Sequence, residues 1–262
     1  MSKYVTVSFS GGKDSTAMLL HMIELGEHID EVINVDTGME FPAMYDHIAR
    51  VRKIVEEHGI KYTALKNPLG FEHLMIERTI VSKKYGEYKG FGWPTMQARW
   101  CTKHLKVKLL DKHVKELSEG HELQQCIGLA ADEYKRLDRI NNTQEHHRHP
   151  LVEWGWSEAD CLAYCKSLGY DWGGLYDLFN RASCWCCPLQ SITELRKLWA
   201  NYPDLWARLE DMERRLIEAR GGPLVVNFKG DRTVVDFRHR FEREAKAQRE
   251  QTTLDIFEEV SE

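Results

Sequence analysis

The chain opens on a short alternating apolar run, Tyr4-Val5-Thr6-Val7-Ser8-Phe9, which predicts a buried strand. Ser15 to Leu25 then carries Ala17, Met18, Leu19, Leu20, Met22, Ile23 and Leu25, a helical apolar run closed by Gly26. Glu31 to Val35 predicts a second strand. Phe41 to His58 predicts a second helix, with Pro42 near its start and Gly59 just past its end. Ile60 to Leu65 predicts a third strand. Strands alternating with helices imply βαβ units, hence a parallel sheet with right-handed crossovers. Gln124 to Leu129 reads as a later strand. Beyond it the chain reads helical: Ser157 to Leu168 with Ser157 as N-cap, then Ile192 to Arg220. Leu224–Phe228 and Thr233–Phe237 read as a hairpin across Lys229-Gly230-Asp231-Arg232, followed by a charged helix over Arg238–Glu250. The pattern predicts an α/β fold: a Rossmann-like, doubly wound, mainly parallel sheet over residues 1–155. A mainly helical, cysteine-bearing region over 156–262 is expected to pack on it.

Composition narrows the class. Of 262 residues, 42% are hydrophobic and 29% charged, ordinary for a soluble globular protein. No apolar run reaches the length of a membrane span, and the first residues lack a secretory h-region, so a cytoplasmic protein without membrane association is expected. The net charge of −5 leaves nucleic-acid binding to local patches. In a reducing compartment the seven cysteines point to metal or catalysis before disulfides.

Ser10-Gly11-Gly12-Lys13-Asp14-Ser15 lies between the first strand and the first helix. Two glycines let the backbone turn sharply and approach a ligand, and the helix that follows offers unpaired N–H groups and the positive end of its dipole. This suits phosphate. It is not a Walker A loop, which has four residues between its first Gly and its Gly-Lys pair. A tight turn with Asp14 or Ser15 as helix cap accounts for many of the same residues.

The segment resembles the pyrophosphate-loop signature of the ATP pyrophosphatase and adenine-nucleotide α-hydrolase superfamily. Val35-Asp36-Thr37-Gly38-Met39-Glu40-Phe41-Pro42 resembles the V-D-T-G-x-x-F-P segment of its phosphoadenosine phosphosulfate (PAPS) reductase family. Arg99-Trp100-Cys101-Thr102, Gly128 to Arg136, and Pro150-Leu151 with Trp154 resemble further blocks of that family. Ala130 and Tyr134 stand where the fourth block has Arg and Ser. The resemblance implies that an adenine nucleotide, ATP, is held and split with release of pyrophosphate, and the negative Asp14 in the loop leads to the expectation of a bridging Mg²⁺. The implied nucleotide-binding residues are Ser8, Phe9, Ser10, Gly11, Gly12, Lys13, Asp14, Ser15, Asp36, Thr37, Gly38, Gly128, Asp132, Glu133 and Arg136, with Lys13 and Asp14 catalytic. Lys13 can neutralise phosphate charge, and Asp14 would repel phosphate unless a bridging cation intervenes. Asp36 is equally well a turn residue before Gly38.

Cys184-Trp185-Cys186-Cys187-Pro188 contains a C-x-x-C, half of a metal site. Cys101 is the third contributor that the family resemblance suggests, and that resemblance implies a [4Fe–4S] cluster on Cys101, Cys184 and Cys187, with Cys186 a further candidate. A structural Zn²⁺ on the same cysteines, with Cys186 or His104 completing the set, fits the spacing too. Cys126, Cys161 and Cys165 read as packing residues. His146-His147-Arg148-His149 reads as a loop before Pro150. Lys103, Lys106, Lys108, Lys112 and Lys115 form a stripe that is either a solvated face or a guide for a nucleic-acid backbone. Arg136 and Arg139 match phosphate oxygens by their forks.

After Cys187 no cysteine follows through Glu262, which disfavours the tail thiol that PAPS reduction requires. The reading is an ATP-dependent sulfur-transfer enzyme that adenylates a substrate oxygen, as tRNA thiolation and DNA phosphorothioation enzymes of the superfamily do. Its partners would be a nucleic-acid substrate, a sulfur-donor protein and a second copy of the chain. The alternatives are a PAPS or adenylyl-sulfate reductase and a non-catalytic nucleotide-binding iron–sulfur subunit.

Overall fold

The computed structural model describes residues 3–84, 86–136, 146–182, 184–221 and 226–260. The chain divides into two compact units. One is made of Met1–Gly70 and Cys101–Cys184, the other of Phe71–Trp100 and Trp185–Glu262. The division therefore falls elsewhere than at the expected 155/156: residues 156–184 fold with the sheet, and residues 71–100 leave it.

The first unit is a five-stranded sheet built from β1 (Tyr4–Phe9), β2 (Glu31–Asp36), β3 (Lys61–Lys66), β4 (Leu123–Ile127) and β5 (His147–Arg148). Its order is β3-β2-β1-β4-β5, and every pairing is parallel. The α/β, Rossmann-like reading holds. Val7, Val32 and Cys126 are fully buried, as expected of central parallel strands covered on both faces. Helix α1 (Lys13–Glu24) follows β1, and α2 (Pro42–Glu57) follows β2 with Pro42 in its first turn, where the missing N–H costs nothing. Strand order reverses direction at β1, so the loop after β1 lies at the switch point where ligands of such sheets bind.

At the opposite end of β2, Glu31 has a fully buried side chain. It accepts from His113 at 2.9 Å, pairs with Lys61 at 3.2 Å, and also accepts from Tyr4 and Thr63. Burial works against its charge, but these partners hold its carboxyl below the usual range. Helix α3 (Lys108–Ser118) continues from a π-helical stretch, Thr102–Val107, and carries His113. α4 (Pro150–Glu153), α5 (Glu158–Ser167) and α6 (Leu175–Leu178) complete the unit. Ser157 caps α5 in a reciprocal box with Asp160, as the sequence signals.

The second unit contains a π-helical turn over His73–Glu77, a two-stranded antiparallel sheet, β6 (Thr79–Ser82) with β7 (Gly86–Lys89), and the helices α7 (Ile192–Asn201), α8 (Pro203–Arg220) and α9 (Val234–Val260). Two expectations are corrected here. The single helix over 192–220 breaks at Tyr202, because Pro203 lacks the N–H that would carry it through. The 224–237 hairpin does not form as expected. Leu224 and Val225 lie outside the described residues, only an isolated bridge joins Lys229 to Arg232, and Val234 already begins α9. Thr233 and Asp236 exchange hydrogen bonds in a capping box, which starts a helix where the apolar alternation suggests a strand. α8 buries Trp206, Leu209, Met212, Glu213 and Leu216 along one face. Among the described residues no helix is long and apolar enough to cross a membrane.

Candidate functional site

The chain leaves β1 at Phe9 and turns through Ser10–Gly12 into α1. Gly11 has φ +80, and a Cβ there would stand 2.7 Å from Ile48 Cγ1, so both the turn and the packing require glycine. Gly128, at the end of β4, passes so close to α1 that a Cβ would lie 2.9 Å from Ser15 Cα. Gly12 differs. Its φ is −71 and ψ 162, which any residue adopts, and a Cβ would meet nothing nearer than Tyr176 Oη at 3.5 Å and Ser10 Oγ at 3.6 Å.

The loop is held by hydroxyls and an indole. Ser15 Oγ donates to the Gly12 carbonyl at 3.0 Å, and the Ser10 amide donates to Ser15 Oγ at 3.2 Å. Trp172 Nε1 donates to the Gly11 carbonyl at 2.8 Å. Beneath the loop the Thr16 hydroxyl shares a 2.9 Å hydrogen bond with His47 Nε2. Burial, with help from Arg50, pulls the His47 imidazole down to about 4, so it is neutral.

Lys13 is buried at the start of α1. Its ammonium lies 2.6 Å from Glu158 and 3.1 Å from Asp14. Burial pulls its pKa down, yet the two carboxylates outweigh that and leave it above the ordinary value. Asp14 shows the opposite balance: burial raises its carboxyl above the usual range in spite of Lys13, and Glu158 and Glu133 add to the rise. The start of α1 thus sets one ammonium against two carboxylates, Asp14 and Glu158.

Ser8 and Phe9 lie in β1, and the Phe9 carbonyl accepts from Asn34 at 2.9 Å. Asp36 ends β2, and its carboxylate accepts from the Gly38 amide (2.7 Å), Tyr45 (3.0 Å) and Lys66 (2.7 Å). It builds the turn, and those partners hold it charged below the ordinary range despite partial burial. Thr37 donates to Glu40 at 3.2 Å. A cavity of about 210 Å³ opens beside the loop, lined by Ser10, Asn34, Asp36, Tyr45, Arg52 and Tyr62 among others. The buried Tyr62 hydroxyl has no hydrogen-bond partner there among the described residues.

After β4, Asp132 accepts from the Glu158 amide at the first residue of α5 at 3.1 Å, while Glu133 pairs with Arg136 at 2.7 Å. Arg139 lies outside the described residues. Three residues that sequence reasoning left aside, Glu158, Trp172 and Tyr176, touch the loop directly. Only Glu158 carried a signal, as a first-turn acidic residue, and that signal spoke of helix capping.

Cys101 and Cys184 belong to the first unit, Cys186 and Cys187 to the second. None of the seven cysteines forms a disulfide. Cys184 Sγ donates to Glu40 at 3.3 Å and lies 3.7 Å from the Thr37 hydroxyl. Burial and Glu40 push its thiol well up. Among the described residues no group of three or more His, Cys, Asp or Glu side chains is gathered as a metal site, which bears alike on the cluster and on the zinc alternative. The iron–sulfur expectation rests on family resemblance. Cys126, Cys161 and Cys165 are buried, as packing residues should be.

A strand–loop–helix at the switch point of a parallel sheet, with a buried lysine at its turn, marks the Rossmann-like class of fold. The chain belongs to the phosphoadenosine phosphosulfate reductase domain family, whose pattern matches residues 4–190. Two uncharacterized proteins of Methanocaldococcus jannaschii are similar to it. One is 27% identical over 227 residues, covering 83% of this chain and 43% of the relative. The other is 26% identical over 221 residues, covering 80% of this chain and 48% of the relative. The chain thus spans less than half the length of these curated relatives. Among solved structures, the U34-tRNA thiolase NcsA from Methanococcus maripaludis with its [4Fe-4S] cluster is similar at 19% identity. The match has a TM-score of 0.43 and covers 82% of this chain and 72% of that one.

Proposed function

We propose that the chain binds an adenosine polyphosphate at Ser10–Ser15 and splits it between the α- and β-phosphates to activate a substrate for sulfur transfer. The observation that carries this reading is Gly12. Neither its backbone conformation nor its packing calls for glycine, and its open side faces two hydroxyls and the start of α1. A ligand that must come within van der Waals contact of the main chain is a sufficient reason for the missing side chain.

A substrate oxygen attacks the α-phosphorus, pyrophosphate leaves, and the substrate carries AMP. A sulfur nucleophile from a partner then forms the new bond and expels AMP. Lys13 at the turn, together with the N-terminal end of α1, stabilises the charge that develops on the departing pyrophosphate. One ammonium against Asp14 and Glu158 leaves the loop negative, so the polyphosphate enters with a divalent cation. Asp14 is the residue placed to hold Mg²⁺, which commonly keeps one or two carboxylates plus phosphate oxygens as ligands. The cavity beside Ser10, with the unpaired Tyr62 hydroxyl, would take the base. That a sulfur atom is moved rests on membership of a family named for a sulfonucleotide enzyme.

The same membership favours a second reading, reduction of a sulfonucleotide at this site. Sulfite release from PAPS with a thiol reductant would mark it, whereas pyrophosphate and AMP from MgATP would mark the first.

The direct test is binding of a non-hydrolysable ATP analogue with Mg²⁺ to the wild type and to Gly12→Ala. The methyl group is expected to leave stability within about 1 kcal/mol of wild type, since the backbone there is compatible with alanine. It should reduce analogue affinity at least tenfold. Equal affinity in the two proteins would remove the basis for the reading.

A further inference from the structure

We propose that Tyr176 belongs to the phosphate-binding machinery, its hydroxyl donating a hydrogen bond to an oxygen of the polyphosphate bound over Gly12. This deepens the preceding reading and rests on it. Four observations of the first unit converge on the residue.

The Lys13 amide, an N–H at the first turn of α1, donates to Tyr176 Oη at 2.9 Å. Such an N–H is the kind of group that a phosphate oxygen would otherwise receive. By accepting from it, Tyr176 is left with its own O–H proton to give. Burial pushes the phenol up to about 12, against the opposing effect of the Lys13 amide and ammonium, so the proton stays on the oxygen at neutral pH.

The hydroxyl also stands in the right place. The position a Gly12 Cβ would occupy is 3.5 Å from Tyr176 Oη and 3.6 Å from Ser10 Oγ, so two hydroxyls flank one open face of the main chain. The Lys13 ammonium lies 6.0 Å from the centre of the Tyr176 ring, bringing the cation to the same neighbourhood.

Finally, the segment that delivers Tyr176 is strained. Trp172 has φ +52, a left-handed conformation that a bulky side chain rarely adopts, and Gly173 and Gly174 follow at +60 and +80. Such strain persists only where the surroundings enforce it, and it gathers at ligand sites. Here it places Trp172 Nε1 on the Gly11 carbonyl and Tyr176 Oη on the Lys13 amide. The same short segment therefore grips the loop on both sides of Gly12.

A purely structural Tyr176 would cap α1 and nothing more. The experiment separates the two roles by the number of phosphates in the probe. Binding of adenosine, of the Mg²⁺-bound non-hydrolysable ATP analogue and of inorganic pyrophosphate is measured for the wild type, Tyr176→Phe and Tyr176→Gln. Tyr176→Phe is expected to weaken the ATP analogue and pyrophosphate by roughly ten- to a hundredfold, the effect of one hydrogen bond to a charged oxygen, and to leave adenosine unchanged. Tyr176→Gln keeps both an acceptor for the Lys13 amide and an N–H to give, so it should recover part of the loss. Thermal melting of each variant shows that the fold is intact. The proposal is overturned if Tyr176→Phe binds all three probes like the wild type, or if it loses adenosine and the ATP analogue by the same factor. Failure of the wild type to bind any phosphate-bearing probe would sink the nucleotide reading itself, a separate result from either of these.

Discussion

Gly12 and Gly128 border the same loop and are glycine for different reasons. At Gly128 an added methyl would stand 2.9 Å from Ser15 Cα and 3.0 Å from its amide nitrogen, both main-chain atoms that cannot swing aside. Gly128→Ala is therefore expected to destabilise the chain by about 1–3 kcal/mol, the range for overpacking a tight contact. A lowered midpoint in urea, measured beside a Gly12→Ala midpoint that stays near or above the wild type's, checks both statements at once. The sequence showed all three glycines near the loop as candidate ligand contacts and could not sort them, because only the packing tells which one the fold itself needs. Lys13 and Asp14 were legible from the loop signature. Glu158, Trp172 and Tyr176 were not, since they reach the loop across more than a hundred residues of chain and carry no motif. Asp36 was evenly balanced between turn and ligand on sequence alone, and its bond to the Gly38 amide shows that it builds the turn.

Among the elements, α8 and α9 are joined by a buried carboxylate. Glu213 on α8 is 2% exposed and accepts from the Val234 amide at 2.8 Å, at the first residue of α9. Burial raises its carboxyl from 4.5 to about 7, although the amides at the start of α9 pull the other way. A group whose pKa is raised by folding binds its proton more tightly in the fold than in the unfolded chain. Its contribution is thus fully present below pH 4.5 and is lost as pH rises through 7. The folded state is expected to lose up to about 3 kcal/mol of stability between pH 5 and pH 9 as the buried carboxyl ionises. Denaturation midpoints across that range should fall with pH in the wild type, and the slope should flatten in Glu213→Gln, which keeps an acceptor for the amide. Elements with β-branched runs, such as β1 and β2, could be read from sequence directly. β6 and β7 could not: neither Thr79–Ser82 nor Gly86–Lys89 has a buried residue, so they show no core face to detect. The start of α9 was misread because Val234, Val235 and Phe237 alternate like a strand while the cap at Thr233 imposes a helix.

For the whole molecule, the boundary suggested by the sequence at residue 155 has a measurable consequence. A chain ending there would lose α5, which packs along α1, together with Glu158, Trp172 and Tyr176. The prediction is that such a truncation shows no cooperative thermal transition, whereas the full chain does. A sharp melting curve from the fragment would contradict the division described here. The composition shift toward helix after 155 was real. It marked a change of secondary structure, not the edge of a folding unit, and only long-range contacts distinguish the two.

Each unit is assembled from two separate stretches of chain, and the central strand β1 pairs with β4 across residues 71–100, which belong elsewhere. During synthesis, β1 can pair with β2 and β3 early. Its other edge must wait, unpaired, while the ribosome completes an excursion that contributes nothing to that sheet. Such an edge invites association with neighbouring chains. Slowing translation within the excursion should therefore lower the soluble yield, while the same pause placed after Cys184 should not.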